Sequence, residues 1–413
     1  MMLDPKFVLE NLKEIKKTVK ERGMKVDLDL IGSLAQARTE TRLRVEELRA
    51  QRNQLSRKPS AASIKLGTDI KNELKNLEPQ LKNFEEQLEK ILWQIPNLIH
   101  PATPRGFEEK NNKIVRADKP PKPAFKPLDH EQLAKKLDLV DFDAAAAVAG
   151  SRFYYLKNEA VLLEFALIKY AFDLLLKEGF TPFITPDLAR EEIIDGVGFV
   201  PRGPESNIYN VEGENLGLVG TAEITLGGYH AGQILEEKSL PLKYAGFSHC
   251  FRREAGSYGQ YSKGLYRVHQ FSKVEMFIFC KPDQSAKTHE YLLSLEEKIF
   301  RGLGIPYRVV DIRAGDLGAA AYRKFDLEAW MPGRGDWGEV TSTSNTTDYQ
   351  ARRLGIKYRK SGGETEYLHT LNGTAVATSR ALIAILENYQ REDGSIEVPE
   401  VLIPYVGKKL IRR

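Results

Sequence analysis

The chain has 413 residues, of which 42% are hydrophobic, enough to bury at least one large core and to form two or three domains. Its 61 basic and 57 acidic residues leave a formal net charge of +4, so attraction to nucleic acid must come from local patches. Its two cysteines exclude a disulfide framework and indicate a reducing compartment. The sequence shows neither a secretory signal nor an apolar run of the roughly 18 residues that span a membrane, so we expect a cytoplasmic protein.

The N-terminal third contains the strongest periodic signal in the sequence. Its apolar positions alternate steps of four and three residues, a spacing that places one stripe along a supercoiled helix. The positions are Ile70, Leu74, Leu77, Leu81, Phe84, Leu88, Ile91 and Ile95, with Leu34, Leu48 and Leu55 on a seven-residue register upstream. Between the two sets, Pro59 lacks an amide donor and predicts a turn within residues 58–63. These features predict an antiparallel coiled coil over about residues 35–95, inside an N-terminal domain of residues 1–110.

The first predicted helix of this arm carries an excess of basic residues. They are Arg38, Arg42, Arg44, Arg49, Arg52, Arg57 and Lys58, with Lys65 just beyond, against Glu40, Glu46 and Glu47. Such an excess suits contacts with the phosphates of an RNA stem, which proteins recognise by shape more than by base edges. A solvated face of a coiled coil carries similar charges, so both interpretations stand at this point.

A proline- and lysine-rich stretch at residues 119–123 predicts a linker over residues 111–130. Beyond it, helical segments at 159–177 and 289–303 alternate with short strand-like runs at 266–269 and 274–279. No series of regular βα units is visible. We therefore predict an α+β fold for residues 131–413, an antiparallel β-sheet flanked by helices.

The densest polar constellation lies between residues 251 and 277, where two strands joined by a glycine-bearing loop are predicted to form a hairpin. The planar guanidinium groups of Arg252 and Arg267 match a phosphate or a carboxylate bidentately, and Phe271 offers a ring on which a purine can stack. Taken singly, a strand arginine is more often a surface residue and a phenylalanine is more often in the core.

Two later segments offer groups for a metal ion and for a phosphate. Glu339 and Ser342 provide a carboxylate and a hydroxyl three residues apart, and magnesium prefers such oxygen ligands. Arg380 stands at the predicted start of an apolar helix, where its charge adds to the N-terminal donors of the helix and favours a phosphate. Each signal is weak alone, because these residue types are more often exposed surface residues.

In combination and in this order, the segments resemble the motifs of the class II aminoacyl-tRNA synthetases, and their detailed form is similar to the seryl-tRNA synthetase family. The matching segments are 251–257 with 264–271 (motif 2), 337–345 (the metal and ATP strand), 371–380 (motif 3) and 221–223 (a Thr-Ala-Glu loop that helps to bind serine in that family). Thr341 and Thr343 depart from the pattern, since many members carry serine and cysteine there.

The resemblance implies roles for the matching residues. ATP binding is implied for Arg252, Arg253, Glu254, Arg267, Phe271, Glu339, Val340, Thr341, Ser342 and Arg380. Serine binding is implied for Thr221, Ala222, Glu223, Arg252, Glu275, Asn372 and Thr374. Glu339 and Ser342 would bind Mg²⁺, and no zinc is expected. Arg252 and Arg380 would be the catalytic residues, on the α-phosphate and on the leaving pyrophosphate.

The resemblance also implies an activity and partners. The expected reaction is the ATP-dependent activation of L-serine to seryl-adenylate, followed by transfer of the serine to tRNA(Ser), with the charging of tRNA(Sec) left open. The N-terminal arm is expected to bind the tRNA. Residues 179–188 look like motif 1, which packs across a two-fold axis in class II enzymes and implies a homodimer.

Three rival interpretations fit the sequence less well. A ligase that passes its amino acid to a carrier protein would lack the tRNA arm. A non-catalytic binding paralogue would typically have lost a phosphate-binding arginine or the metal carboxylate, whereas Arg252, Glu339 and Arg380 are all present. The zinc-dependent seryl variant of some archaea is disfavoured because the chain has no cysteine-rich site.

Overall fold

The computed structural model describes residues 3, 5–56, 61–200, 206–254 and 263–413. The chain divides between Leu98 and Ile99 into two compact units. Within the described ranges, no helix combines the length and the apolarity needed to cross a bilayer.

The described part of the first unit is helical. Its helices are α1 (Pro5–Glu10), α2 (Leu12–Glu21), α3 (Leu30–Leu55) and α4 (Ala61–Gln94). Helices α3 and α4 run antiparallel, because Arg42 pairs with Glu85 while Arg49, further along α3, pairs with Glu78, nearer the start of α4. The predicted helical hairpin is confirmed. Residues 58–60 of the predicted turn lie outside the described residues, whereas its residues 61–63 lie in the first turn of α4.

The stripe predicted from apolar spacing holds the two long helices together. Val45 and Leu48 of α3 pack against Ile70 and Leu74 of α4, with Leu55, Leu77 and Leu81 partly buried around them. Further along α4, Leu88 is only 2% exposed and packs in a second cluster with residues of α1, α2 and α3. A 4-3 repeat keeps one face of each helix turned towards its partner, and these two clusters lie on that face.

The second unit is an α+β fold. Its helices are α5 (His130–Lys136), α6 (Phe142–Ala149), α7 (Glu159–Lys177), α8 (Glu191–Gly196), α9 (Ala222–Gly228), α10 (Ser285–Gly302), α11 (Tyr349–Leu354), α12 (Thr378–Asn388) and α13 (Ile403–Val406). Its longer strands are β1 (Lys113–Ala117), β4 (Thr181–Ile184), β9 (Leu242–Phe251), β10 (Gln270–Cys280), β11 (Tyr307–Asp311), β12 (Arg323–Met331), β13 (Asp336–Asn345) and β16 (His369–Ala377). Its shorter strands are β2 (Val140–Asp141), β3 (Tyr155–Leu156), β5 (Leu188–Arg190), β6 (Tyr209–Asn210), β7 (Leu216–Leu218), β8 (Ile234–Glu236), β14 (Lys357–Arg359), β15 (Thr365–Tyr367), β17 (Ile396–Glu397) and β18 (Leu410–Ile411).

The eight longer strands form one sheet in the order β1-β11-β12-β13-β16-β10-β9-β4. Adjacent strands in this sheet pair antiparallel, except that β4 lies parallel to β9 at one edge. The predicted antiparallel sheet is confirmed. Residues 111–130, which were predicted as a linker, contribute β1 to the opposite edge of this sheet, and all five residues of β1 are exposed.

The main core of the second unit lies between the sheet and helices α7, α10 and α12. Helix α7 spans the predicted residues 159–177 and buries Leu163, Leu167 and Leu175 on one face. The strand predicted at 274–279 lies within β10, but the one predicted at 266–269 is wrong. Three consecutive residues there, Tyr266, Arg267 and Val268, all line one cavity, whereas the side chains of a strand alternate between two faces.

Candidate active site

A cavity of about 260 Å³ lies on the sheet where β10, β13, β16 and the start of α12 come together. It is lined by every site residue named from the sequence except Arg253 and Ala222. Arg253 is exposed, and Ala222 is fully buried at the first turn of α9. The cavity therefore does not support the roles predicted for these two residues. It brings together residues from segments that lie far apart in the sequence.

Arg252 and Phe271 form one wall of the cavity at the mouth of the β9–β10 hairpin. The guanidinium group of Arg252 lies 5.3 Å from the centre of the Phe271 ring, and its Nε donates a 3.3 Å hydrogen bond to the Gly220 carbonyl oxygen. The Arg252 amide also donates to the His269 carbonyl oxygen, which closes the hairpin below the side chain. These contacts hold the arginine at the cavity, where its guanidinium group suits an anion.

Glu254 and Arg267 face each other across the same hairpin mouth. Arg267 donates a 2.9 Å hydrogen bond to the Glu254 carboxylate. Glu254 has a φ of +50°, a left-handed conformation that is uncommon for a residue other than glycine. The predicted motif-2 residues that follow it, 255–257, lie outside the described residues.

Arg380 and Glu339 form an ion pair in the part of the cavity nearest α12. Their side chains approach to 2.8 Å, and the guanidinium group lies 4.9 Å from the centre of the Tyr266 ring. Burial raises the pKa of Glu339, but the charges of Arg380 and Lys324 outweigh burial and lower this pKa to about 2. Glu339 is therefore a carboxylate at any physiological pH.

The oxygen atoms on β13 suit a magnesium ion. Glu339 and Ser342 line the cavity together, and both offer the hard oxygen donors that Mg²⁺ prefers. Asp326, across from Ser342 on β12, does not line the cavity, and one of its buried carboxylate oxygens has no hydrogen-bond partner among the described residues. Burial raises the pKa of Asp326 to about 7, although Lys324 opposes this. The donor set suits a divalent cation shared with a bound phosphate.

A second group of polar residues lies on β10 and β16, beside the first. Glu275 is 1% exposed and pairs with Lys273, two residues away on the same face of β10. Asn372 and Thr374 donate to the Glu275 carboxylate at 3.4 and 3.5 Å. Both hydrogen bonds are long, so the carboxylate can take a stronger donor at close range.

Glu223 completes this group from the start of α9. Thr221 caps the helix, its hydroxyl oxygen accepting from the Glu223 amide at 3.1 Å, and Gln350 donates to the Glu223 carboxylate at 2.8 Å. Burial, with Glu275 adding to it, raises the pKa of Glu223 to about 7. This side of the cavity thus carries two acidic side chains, Glu223 and Glu275, together with Lys273.

Eight residues that line the cavity were missed by the site prediction from sequence: Phe199, Tyr266, Val268, Lys273, Lys324, Ser344, Ala377 and Ser379. The signal for Lys273 was its spacing of two from Glu275 on a predicted strand, which places both side chains on one face. Tyr266 was assigned to a strand, and its place between Arg334 and Arg380 depends on loops that meet only in the folded chain.

Comparison with known proteins agrees with this geometry. The family described as "Seryl-tRNA synthetase N-terminal domain" matches residues 2–99, and the one described as "tRNA synthetase class II core domain (G, H, P, S and T)" matches residues 209–389. The chain is 58% identical to the serine–tRNA ligase of Dictyoglomus thermophilum, over 98% of each chain. It is 54% identical to that of Treponema denticola, over 98% of this chain and 99% of the other. The chain belongs to the seryl-tRNA synthetase family.

A solved structure agrees with this assignment. The seryl-tRNA synthetase from Pyrococcus horikoshii, solved in complex with ATP, matches with a TM-score of 0.92 at 40% identity and covers 99% of both chains. Membership makes the chain a class II aminoacyl-tRNA synthetase, a serine–tRNA ligase that depends on ATP. The family, fold and enzyme class predicted from the sequence are therefore confirmed.

Proposed function

We propose that the cavity of the second unit binds ATP and L-serine side by side, forms seryl-adenylate, and passes the serine to tRNA(Ser) held by the N-terminal arm. The observation that carries this proposal is the convergence of Arg252, Glu339 and Arg380 on one cavity, next to the acidic group around Glu275. Little covalent chemistry falls to the protein in such a reaction, so positioning and charge stabilisation supply most of the rate enhancement.

The nucleotide lies along the wall formed by the hairpin mouth and α12. Phe271 stacks on the adenine, and Glu254 accepts from its exocyclic amino group. Arg252 holds the α-phosphate, where negative charge increases as the serine carboxylate attacks. Arg380, at the N-terminus of α12, stabilises the leaving pyrophosphate together with the helix dipole.

Magnesium, held by Glu339 and Ser342, would neutralise charge on the triphosphate and orient it. The protein contributes the geometry for this ion. Glu339 stays ionised because Arg380 and Lys324 lower its pKa, and it therefore presents a permanent charge to a cation. The Arg380–Glu339 pair holds both side chains at the cavity before the nucleotide binds.

The amino acid lies on β10 and β16. Glu275 accepts the serine ammonium group, and Thr374 contacts the serine hydroxyl. A site built to hydrogen-bond a hydroxyl rejects alanine strongly, because the polar partner would be left buried and unpaired. Threonine carries one extra methyl group, which the walls of the pocket exclude by shape.

The arm supplies contacts to the tRNA. Arg42, Arg44 and Arg49 all lie on α3 and pair with glutamates of α4, and all three side chains are about half exposed. Exposed pairs of this kind contribute little to stability, so a phosphate can replace the carboxylate at small cost.

The apolar edge of the sheet supports assembly as a homodimer. Strand β4 lies within residues 179–188, the segment similar to motif 1, and forms the edge next to β9. Ile184 on β4 is 85% exposed and Phe165 on α7 is 66% exposed. Large apolar side chains exposed on a sheet edge are typical of an interface between subunits.

The decisive test is serine-dependent exchange of pyrophosphate into ATP by the purified chain, followed by charging of purified tRNA(Ser). We expect exchange with serine, at least a hundredfold less with alanine, and charging of tRNA(Ser). A chain that binds ATP but supports neither reaction would be a binding paralogue. A chain that supports exchange but loads a carrier protein instead of tRNA would be the other rival ligase.

A further inference from the structure

Strands β13 and β16 are neighbours in the large sheet, yet they pair along only part of their length. The ladder between them consists of Thr343 with Gly373, Ser344 with Asn372 and Asn345 with Leu371. Both strands are described throughout and continue past this ladder, β13 back to Asp336 and β16 on to Ala377, with no further ladder pair between them. The two strands therefore separate at Thr343 and Gly373, and we call this place the fork.

Each branch of the fork carries one half of the proposed site. The β13 branch stays paired with β12 and carries Ser342 and Glu339, the groups proposed for the metal and the triphosphate. The β16 branch stays paired with β10, where Glu275 lies opposite Thr374, the groups proposed for serine. The width of the fork therefore sets the distance between the nucleotide and the amino acid.

Helix α10 lies under β13 and contacts it at three successive levels. Asn345 donates to the Ser285 hydroxyl at 3.0 Å, and the His289 ring nitrogen Nε2 lies 3.1 Å from the Thr343 carbonyl oxygen at the fork. Glu296, seven residues after His289 and on the same face of the helix, reaches into the opening. Its Oε2 accepts a 2.9 Å hydrogen bond from the Thr341 hydroxyl.

Glu296 also meets the other branch. A Cβ atom at position 373 would lie 3.0 Å from its Oε1, so the carboxyl group lies directly beneath the backbone of Gly373. Glu296 is 0% exposed, and its Oε1 has no hydrogen-bond partner among the described residues. Burial raises the pKa of Glu296 well above its usual range, which favours the neutral carboxyl group. A neutral side chain thus fills the space where the ladder between the strands ends.

We infer that Glu296 is a positioning residue for serine activation, which holds β13 and β16 at the separation that aligns the serine carboxylate with the α-phosphorus of ATP. This inference rests on the proposed function. Glu296 touches neither substrate, and it acts through Thr341 on one branch and Gly373 on the other. Because bond formation needs the reacting atoms about 3–3.5 Å apart, a small change in the fork lowers the rate of the chemical step more than the affinity for either substrate.

The test compares Glu296→Leu with Glu296→Gln in the full-length chain, by serine-dependent pyrophosphate exchange. Leucine cannot accept from Thr341, so kcat is expected to fall at least tenfold, while the KM values for serine and for ATP each stay within about threefold. Glutamine reproduces the neutral carboxyl group in size and keeps the acceptor, so its kcat is expected within about twofold of the unchanged chain. Glu290→Leu, at an exposed position of the same helix, is the matched control and should not change kcat.

A purely structural role for Glu296 predicts a different result, and thermal unfolding of Glu296→Leu separates the two. Under a structural role, kcat would be normal at temperatures well below the unfolding transition, where this variant is fully folded. Our inference predicts that kcat of the folded variant nevertheless stays at least tenfold low. Normal kcat in the folded Glu296→Leu variant, or an equal loss in Glu296→Gln, would overturn the inference. If the unchanged chain shows no exchange at all, the proposed function fails instead.

Discussion

An arginine–glutamate pair in the arm and one at the cavity have the same length but different surroundings. In the arm, Arg49 and Glu78 lie 2.8 Å apart with 54% and 44% of their side-chain surfaces exposed. At the cavity, Arg380 and Glu339 also lie 2.8 Å apart with 21% and 39% of their side-chain surfaces exposed, and Arg380 packs on the Tyr266 ring. Water screens the first pair, whereas the second acts in a partly desolvated site where charges interact more strongly.

The difference corresponds to two ways of binding phosphate. The arm offers exposed guanidinium groups on a helical surface, which can exchange a carboxylate partner for the phosphates of an RNA stem. The cavity holds its charges in fixed positions before the substrate arrives, which stabilises a transition state without reorganisation. Variants of either region test this contrast.

The largest effect is expected from removing a fixed charge at the cavity. Arg252→Ala should lower the rate of serine-dependent pyrophosphate exchange about a thousandfold, because the α-phosphate loses its donor. Steady-state exchange kinetics measure this directly. The control is Arg391→Ala, which breaks an exposed arginine–glutamate pair of the same unit and should leave the rate unchanged. If Arg252→Ala lowers the exchange rate less than tenfold, the fixed positive charge of Arg252 does not contribute to catalysis as proposed.

The next effect concerns the small core of the arm. Leu74 is 3% exposed and packs against Val45 and Leu48, so Leu74→Ala should destabilise the helical hairpin by about 2–3 kcal/mol. Thermal unfolding followed by circular dichroism should show an earlier helical transition, while the exchange rate stays constant. Leu66→Ala, on the same helix but 49% exposed, is the control and should unfold like the unchanged chain. Equal unfolding of the two variants would contradict the packing described here.

A third effect is a pH dependence at the amino-acid side of the cavity. Burial raises the pKa of Glu223 to about 7, so this carboxyl group is mostly protonated at pH 6 and mostly ionised at pH 8. The ionised form adds a negative charge beside Glu275, the proposed partner of the serine ammonium group, so kcat/KM for serine should rise about tenfold across that range. Glu223→Gln should flatten the profile. A profile of equal slope in this variant would assign the titration to another group.

The smallest effect is expected from one exposed pair of the arm. A double-mutant cycle of Arg49→Ala and Glu78→Ala should give a coupling free energy of about 0.2–1 kcal/mol in thermal unfolding. The value should decrease further in high salt, because the pair is exposed. A coupling above 2 kcal/mol would mean that arm pairs resist exchange for phosphates.

Local patterns predicted much of the architecture. The 4-3 repeat between Ile70 and Ile95 predicted the pairing of α3 with α4, because one apolar face requires a partner. The length and apolar face of residues 159–177 predicted α7. Residues 266–269 misled the prediction, since their mixed polar and apolar order suggests a strand, while the folded loop turns three consecutive side chains towards one cavity. Strand β1 was missed because its five residues are exposed at a sheet edge and carry no buried pattern.

The site was predictable where a motif fixes residue types, and not where function depends on distant contacts. Arg252, Glu339 and Arg380 were named from short segments, and the fold brings them to one cavity. The raised pKa of Glu223 depends on burial and on Glu275, 52 positions along the chain, so no local pattern shows it. In the sequence, Glu296 looks like an ordinary charged residue of an amphipathic helix. Its proposed positioning role depends on the separation of β13 from β16, which is visible only in the folded chain.

The central proposal is that the cavity activates serine and the arm binds the tRNA. It is tested most directly by deleting residues 40–92 and measuring pyrophosphate exchange and tRNA charging in the same preparation. We predict that exchange with serine stays within about twofold, because every proposed catalytic group lies in the second unit. Charging of tRNA(Ser) should fall at least a hundredfold, since the tRNA loses its phosphate contacts. Normal charging by the shortened chain would contradict the role proposed for the arm, and loss of exchange would contradict the independence of the cavity.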